Sequence, residues 1–294
     1  HMIGYSNGAA LAVSYALDAR TDATLPRPAG LVLISPAIGI TRLAAIGRIR
    51  TGLSDLQGFG RAAWQLIEAE VDPYKYQSFS FNAAGATQRL TSGLSRRIAA
   101  IASQGPVRDM PPILAFVSTV DSTVQVPAVI DSLLGRLAPE GHELVVFDVN
   151  RLSVVQPMLI ADPAPLTRRL LAQTQRPFAL TLITNASAST LQVAERRSSA
   201  LGTATTERSL DLAWPRNVFS LSHVALPFPP DDPLYGYAAP VTNRHVQLGR
   251  IEIRGENGVL NVPNWMLTRQ RSNPFHAYLV ERIESFLAGA PQNQ

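Results

Sequence analysis

Residues 2–10 have the sequence MIGYSNGAA, in which an apolar tail runs into a serine that stands between two glycines. The tail favours the end of a buried strand, and the alanine-rich stretch 9–17 is typical of a helix. Gly4, Ser6 and Gly8 match the Gly-x-Ser-x-Gly pattern of a nucleophile elbow, in which a strained turn makes the serine hydroxyl project from the strand end. The stretch therefore predicts a strand–turn–helix unit with Ser6 as its nucleophile.

The small residues around Ser6 have a physical explanation. Side chains two positions before and after the serine would clash with the sharp turn, so we expect small residues at both positions, as Gly4 and Gly8 are. A helix N-terminus favours developing negative charge, and the backbone amide of Asn7 is the expected oxyanion-hole donor. The alternative is a glycine-rich turn between strand and helix in which the serine has no chemical role.

The composition of the whole chain restricts what this turn can belong to. The 294 residues are 46% hydrophobic and 16% charged, which excludes extensive disorder and allows one large or two ordinary domains. The absence of cysteine excludes disulfide scaffolds, thiolate metal sites and cysteine nucleophiles. The net charge of +4 comes from dispersed arginines, which gives no support to nucleic-acid binding. The longest uncharged apolar stretch, 29–41, has 13 residues, whereas a membrane-spanning helix needs roughly 20.

Apolar runs of strand length recur along the chain and alternate with helical periods. We predict strands over 30–35, 113–118, 143–148, 178–184 and 217–221, and a hairpin within 247–262. Helices are expected over 88–103, 126–137, 166–174 and 274–287. This alternation indicates an α/β fold with a mostly parallel, doubly wound sheet. Because 41–110 has helical periods and no convincing strand, we expect residues 1–40 and 111–294 to form the core and 41–110 a helical insertion.

A serine nucleophile needs a base, and the base needs an acid that orients it. Asp121 comes shortly after the predicted strand 113–118, at the end of a parallel strand where sites form, and is our candidate for the acid. Its alternative role is to cap a turn or a helix. Asp148 ends the next predicted strand and is the second candidate.

Five histidines are candidates for the base. His223 follows a predicted strand and opens a long loop, so both geometry and chain order favour it. His245, before the predicted hairpin, and His276, on the closing helix, remain alternatives. His1 precedes the elbow in its own strand, and His142 lies before a strand, which is the wrong end of a parallel strand for a site.

Three segments together resemble an α/β-hydrolase superfamily serine hydrolase of the esterase or lipase kind: residues 4–12, residues 112–124 and Ser222-His223. The resemblance implies that Ser6 is the nucleophile, that His223 is the general base and then the general acid, and that Asp121 orients it. It also implies that the insertion 41–110 is a lid and that neither a metal nor an organic cofactor is needed.

Two features depart from the family pattern. Position 223 lies 102 residues after position 121, farther than a simple member needs, which bears on the choice of histidine. Family members also have several strands before the elbow, and one of their loops supplies the second oxyanion-hole donor, whereas three residues precede Gly4 here. We therefore expect this chain to be a C-terminal portion, with the N-terminal segment of the same protein as its partner and full activity only in the complete protein.

The leading hypothesis is a hydrolase of small-molecule or lipid-like carboxylic esters that acts through an acyl-enzyme. An acyltransferase or a peptidase uses the same three side chains, and a non-catalytic binding or scaffold protein on this fold is the alternative from a different class. Arginines among apolar residues in 41–68 keep contact with a membrane surface as a further hypothesis. Aromatic residues of the insertion are expected either to line an acyl pocket or to form ordinary core: Phe59, Trp64, Tyr74, Tyr76, Phe79 and Phe81.

Overall fold

A seven-stranded β-sheet with helices packed against it dominates the fold. The structure is a computed structural model and describes residues 1–39, 64–67, 70, 72–73, 76–153, 162–216, 218–240, 247–250 and 270–289. In chain order the strands are β1 Met2–Tyr5, β2 Leu31–Ile34, β3 Trp64–Leu66, β4 Phe79–Ser80, β5 Ile113–Ser118, β6 Glu143–Phe147, β7 Ala179–Asn185, β8 Gln192–Ser198 and β9 Thr206–Ala213. Strands β3 and β4 form a separate antiparallel ribbon, and the other seven form the main sheet.

The main sheet is mostly parallel, as the sequence predicts. Its strand order is β1-β2-β5-β6-β7-β8-β9; the first five strands are parallel, and β8 and β9 run antiparallel to their neighbours. Tyr5 at the end of β1 stands opposite Ile34 of β2, which in turn stands opposite Phe116 of β5. Parallel strands end at the same edge of a sheet, so the segments that follow β1 and β5 lie close together, with only β2 between them.

Alternating side chains of each central strand enter two different cores. Leu31 and Leu33 of β2 belong to one buried cluster, and Val32 and Ile34 belong to the other, as the period of two in a strand requires. The described helices are α1 Asn7–Ala19, α2 Phe81–Ala102, the single turn α3 Val126–Ala128, α4 Ala164–Ala172 and α5 His276–Leu287. Residues of α1, α2 and α4 line the first core, and α5 covers the second. Burial on both faces explains why the central strands are continuous apolar runs.

Two predicted elements take a different form. The predicted helix 126–137 consists of α3, a π-turn over Val129–Leu133 and a 3₁₀ turn over Leu134–Arg136. Pro127 suits the first turn of a helix, whereas Gly135 disfavours a continuous α-helix at its end. The predicted strand 217–221 is wrong for the residues described, since 218–222 adopt neither strand nor helix. In this segment the carbonyls of Leu221 and Val218 accept hydrogen bonds from the side chains of Ser118 and Asn150 instead of from a neighbouring strand.

Residues 41–63 and a few positions between 68 and 75 lie outside the described residues, and the described part of the stretch 41–110 corrects one expectation. The ribbon of β3 and β4 occurs where no strand was predicted. Helix α2 is longer than the predicted 88–103, and its Leu94 and Ile98 pack in the same core cluster as α1. The predicted hairpin lies largely outside the described residues, apart from a 3₁₀ turn over Leu248–Arg250. None of the described helices has the length and apolarity that crossing a membrane requires.

Candidate active site

Ser6 stands on the sharp turn between β1 and α1 and has a strained backbone. Its φ of 54° and ψ of −116° lie in a region that residues with a side chain rarely adopt. A Cβ atom added to Gly4 would lie 2.6 Å from the backbone nitrogen and Cα of Ala9, so the close approach of helix and strand requires glycine there. A Cβ added to Gly8 would meet no atom within 4 Å. The expectation that a side chain would clash at both positions is therefore correct for Gly4 and wrong for Gly8.

The segment after β2 holds this turn in place. The backbone N–H of Ser6 donates to the Ile34 carbonyl at 2.9 Å, and the N–H of Ala37 donates to the Ser6 carbonyl at 3.1 Å. Between these two contacts Ser35 also has a positive φ, of 43°. Two adjacent strand ends thus share one strained backbone arrangement, which fixes the position of the Ser6 hydroxyl.

The structure brings together the three side chains that the sequence analysis selected. The Nε2 atom of His223 lies 3.0 Å from Oγ of Ser6, and its Nδ1 atom lies 2.8 Å from Oδ2 of Asp121. Ser6 follows β1, Asp121 follows β5, and His223 begins a 3₁₀ turn over His223–Ala225. The side chains of His223 and Asp121 are 5% and 0% exposed. In this order the imidazole can take the proton of the hydroxyl, and the carboxylate orients the imidazole.

The carboxylate of Asp121 is fixed by its own loop. Its Oδ1 atom accepts hydrogen bonds from the backbone N–H groups of Thr123 and Val124, at 2.8 and 2.9 Å. The turn-capping role that was the alternative for Asp121 and the contact with His223 therefore use different oxygens of the same carboxylate. This arrangement leaves Oδ2 directed at the imidazole.

Tyr5 supports His223 from the strand that carries the elbow. The centroids of the two rings are 5.1 Å apart, with an angle of 34° between their planes. The Tyr5 hydroxyl donates to the backbone carbonyl of His223 at 3.3 Å. Sequence reasoning missed this residue, because the variable position of the Gly-x-Ser-x-Gly pattern carries no signal of its own.

Asn7 is the first residue of α1 and stands beside the serine. Within the residues that the structure describes, its backbone N–H donates no hydrogen bond to a carbonyl, whereas the N–H groups of Ala9 and Ala10 both donate to the Ser6 carbonyl. The Asn7 side chain donates from Nδ2 to Oγ1 of Thr87 on α2, at 3.1 Å. The Asn7 amide therefore remains available at a helix N-terminus, where negative charge is stabilised.

The second candidate acid, Asp148, is occupied elsewhere. Arg151 binds it through two nitrogens, from Nε to Oδ2 at 2.9 Å and from Nη2 to Oδ1 at 2.8 Å. The hydroxyl of Thr184 also donates to Oδ2, at 3.1 Å. The carboxylate thus joins a structural ion pair at the ends of β6 and β7.

The other histidines have different surroundings. His142 is buried immediately before β6, at the opposite end of the parallel strands from Ser6. Burial lowers the pKa of its imidazole to about 4, while the carbonyl of Ala138 acts in the opposite direction. His276 begins α5, and burial lowers the pKa of its imidazole as well. His245 lies outside the described residues.

Most of the described aromatic residues from the insertion are exposed. Trp64 and Phe79 are each 43% exposed and Tyr76 is 89% exposed, whereas Phe81 is buried at the start of α2. Phe59 and Tyr74 lie outside the described residues. The described part of the chain contains no group of three or more histidine, aspartate or glutamate side chains that could hold a metal ion.

Comparison with known proteins gives no further identification, since no family model matches this chain and a search of curated proteins finds no match. The structure itself gives a mostly parallel α/β sheet with a Ser–His–Asp contact chain at its edge.

Proposed function

We propose that this chain is a serine hydrolase of the α/β-hydrolase type that cleaves carboxylic esters through an acyl-enzyme. The observation that carries the proposal is the contact chain from Ser6 Oγ to His223 Nε2 and from His223 Nδ1 to Asp121 Oδ2, with both distances at or below 3.0 Å. The position of Ser6 on a strained turn between a strand and a helix supports the same conclusion. The chain order of serine, aspartate and histidine is the order of this fold type.

In the proposed reaction Ser6 attacks the ester carbonyl carbon while His223 Nε2 takes the hydroxyl proton. The carbonyl oxygen becomes an oxyanion, and the amide of Asn7 donates a hydrogen bond to it, which typically contributes about 3 kcal/mol for each donor. His223 then transfers the proton to the departing alcohol, and the C–O bond breaks to leave an ester of Ser6. Water, deprotonated by His223, attacks this acyl-enzyme and releases the carboxylic acid.

Asp121 orients the base in this proposal and does not take its proton. Its Oδ2 atom accepts the Nδ1–H of His223, so that Nε2 faces Ser6 as an acceptor. The two backbone N–H groups on Oδ1 hold the carboxylate against rotation. A carboxylate that is fixed and buried stabilises the imidazolium that forms when Ser6 attacks.

We further propose that part of the stretch 41–110 borders the substrate. The hydrogen bond between the Asn7 side chain and Thr87 brings α2 against the elbow. Helix α2 thus lies beside the first turn of α1, directly after Ser6. Exposed apolar side chains at Trp64 and Phe79 suit a substrate with an apolar acyl part.

The test uses a fluorophosphonate probe and p-nitrophenyl esters with the complete protein. We expect the probe to label Ser6, and Ser6→Ala to abolish both labelling and turnover. The variant Asp121→Asn is expected to lower kcat by roughly 10⁴-fold, and His223→Ala by roughly 10⁶-fold. An unlabelled wild-type protein at neutral pH would contradict the proposal, and near-normal turnover by His223→Ala would remove His223 as the base.

A further inference from the structure

The loop that carries His223 is held by hydrogen bonds from the end of β5 and from the segment after β6. Residues 218–222 form neither strand nor helix, so no ladder of backbone hydrogen bonds fixes them. Instead, the carbonyls of Val218 and Phe219 accept hydrogen bonds from Nδ2 and the backbone N–H of Asn150, at 3.3 and 2.8 Å. The carbonyl of Leu221, two residues before His223, accepts from Oγ of Ser118 at 2.7 Å. Each contact joins the loop to the end of a parallel strand.

Ser118 makes one of the contacts that flank the base, and it also contacts the segment of the acid. It is the last residue of β5, and its carbonyl accepts the backbone N–H of Asp121 at 3.2 Å. Ser118 and Leu221 are both 0% exposed. A single buried residue therefore binds the backbone at Asp121 through its carbonyl and the backbone just before His223 through its hydroxyl.

We propose that Ser118 is a positioning residue that sets the distance between Asp121 and His223 for ester hydrolysis, which rests on the function proposed above. Its hydroxyl is fully buried and cannot touch a substrate, so its effect passes through the backbone of Leu221. Without that hydrogen bond, the loop loses its buried attachment to β5, the strand that leads to Asp121. Close to the base it keeps the contacts of Tyr5 with the His223 carbonyl and of Ser222 with the Gln270 carbonyl. A shift of about 1 Å in such a group can lower a rate by about 100-fold.

The first experiment compares Ser118→Ala with Thr181→Val. Each change deletes one fully buried hydroxyl that donates a hydrogen bond of 2.7 Å. The hydroxyl of Ser118 donates to the Leu221 carbonyl, whereas that of Thr181 donates to the Glu143 carboxylate at the amino end of β6. We expect Ser118→Ala to lower kcat for a p-nitrophenyl ester by roughly 10- to 100-fold with KM nearly unchanged. Thr181→Val should keep kcat within about twofold of wild type, since its hydrogen bond lies at the other end of the strands.

The second experiment needs no substrate. A proton held between imidazole Nδ1 and a carboxylate gives a far-downfield ¹H resonance, which reports the contact of His223 with Asp121 directly. We expect this resonance in the wild type and in Thr181→Val, and its loss or displacement in Ser118→Ala. If the wild type showed this pattern without any ester turnover, the positioning role would stand and the proposed function would fail.

Two results would overturn the inference. One is a folded Ser118→Ala variant that keeps both the resonance and the wild-type kcat. The other is a wild-type spectrum that lacks the resonance, because the inference requires the pair to be formed. Ser118→Cys keeps a side chain of similar shape with a weaker donor. Its kcat is expected to lie between those of the wild type and Ser118→Ala. If the alanine variant does not fold, the cysteine variant is used for the same two measurements.

Discussion

At the scale of single residues, the two glycines of the Gly-x-Ser-x-Gly pattern have different physical roles. Gly4 is needed because its Cα lies against the backbone of Ala9, where an added Cβ would approach to 2.6 Å. Gly8 is the second residue of α1, and the space where its Cβ would stand is open. The pattern itself cannot separate these roles, because it records residue types and not the direction from which the helix approaches the strand.

We predict opposite effects of alanine at the two glycines. Gly4→Ala forces the strand and helix apart and is expected to destabilise the fold by about 1–3 kcal/mol, the usual range for overpacking. Gly8→Ala fits the space and suits a helix better than glycine, so we expect it to be neutral or to stabilise by up to about 1 kcal/mol. Urea unfolding of both variants measures this difference, and equal losses of stability would contradict it.

At the scale of helices and strands, the buried parallel strands were the predictable part. Strand β5 spans the predicted residues 113–118 because its apolar run is buried on both faces. The antiparallel strands β8 and β9 were missed, since they carry charged residues such as Glu195 and Glu207 and β9 is an outer strand with mostly exposed side chains. The strand predicted before His223 was wrong because apolar residues also occur in loops that side chains anchor, and sequence periodicity does not distinguish the two.

In the candidate site, too, some residues could be predicted from the sequence and others could not. Chain order and the ends of predicted strands selected Ser6, Asp121 and His223, which the structure brings into contact. The supporting contacts of Tyr5 and Ser118 could not be predicted, because they join residues more than 100 positions apart through the backbone of an irregular loop.

The closing helix α5 is tied to the sheet by a buried ion pair. Nη2 of Arg282 lies 2.7 Å from both carboxylate oxygens of Glu143, which is fully buried at the start of β6. Thr181 donates to the same carboxylate at 2.7 Å, and Arg197 lies 3.5 Å from it. Removing the arginine would leave a buried carboxylate with fewer partners, which costs more than the pair itself contributes.

We therefore predict that Arg282→Met lowers the free energy of unfolding by about 3 kcal/mol, the lower end for a broken buried pair, because Arg197 still faces Glu143. The matched control is Arg196→Met, which breaks the exposed pair with Glu207 and should cost less than about 1 kcal/mol. Chemical denaturation of both variants measures the difference. Similar losses in the two variants would show that α5 is held by its apolar face alone.

At the scale of the whole molecule, the two ends of the parallel strands differ in their polar groups. The carboxyl ends carry the candidate site, whereas the amino end of β6 is preceded by the buried histidine His142. The backbone carbonyl of Ala138 only partly offsets the cost of charging this buried imidazole. Burial holds its pKa at about 4, compared with 6.5 for a free imidazole, so the folded state keeps this ring neutral where the unfolded chain would protonate it.

This difference predicts acid sensitivity of the entire fold. Between pH 6.5 and about pH 4 the unfolded chain binds a proton that folded His142 rejects, so stability is fully present above pH 6.5 and falls as the pH is lowered. The two pKa values correspond to a loss of about 3 kcal/mol across this window. Urea unfolding at several pH values gives the free energy of unfolding as a function of pH. This free energy should fall less steeply with decreasing pH in His142→Phe, which keeps an aromatic ring that cannot protonate. His276, whose pKa burial also lowers, contributes in the same direction to both proteins, so some slope should remain. An unchanged slope in His142→Phe would show that other groups cause the acid sensitivity.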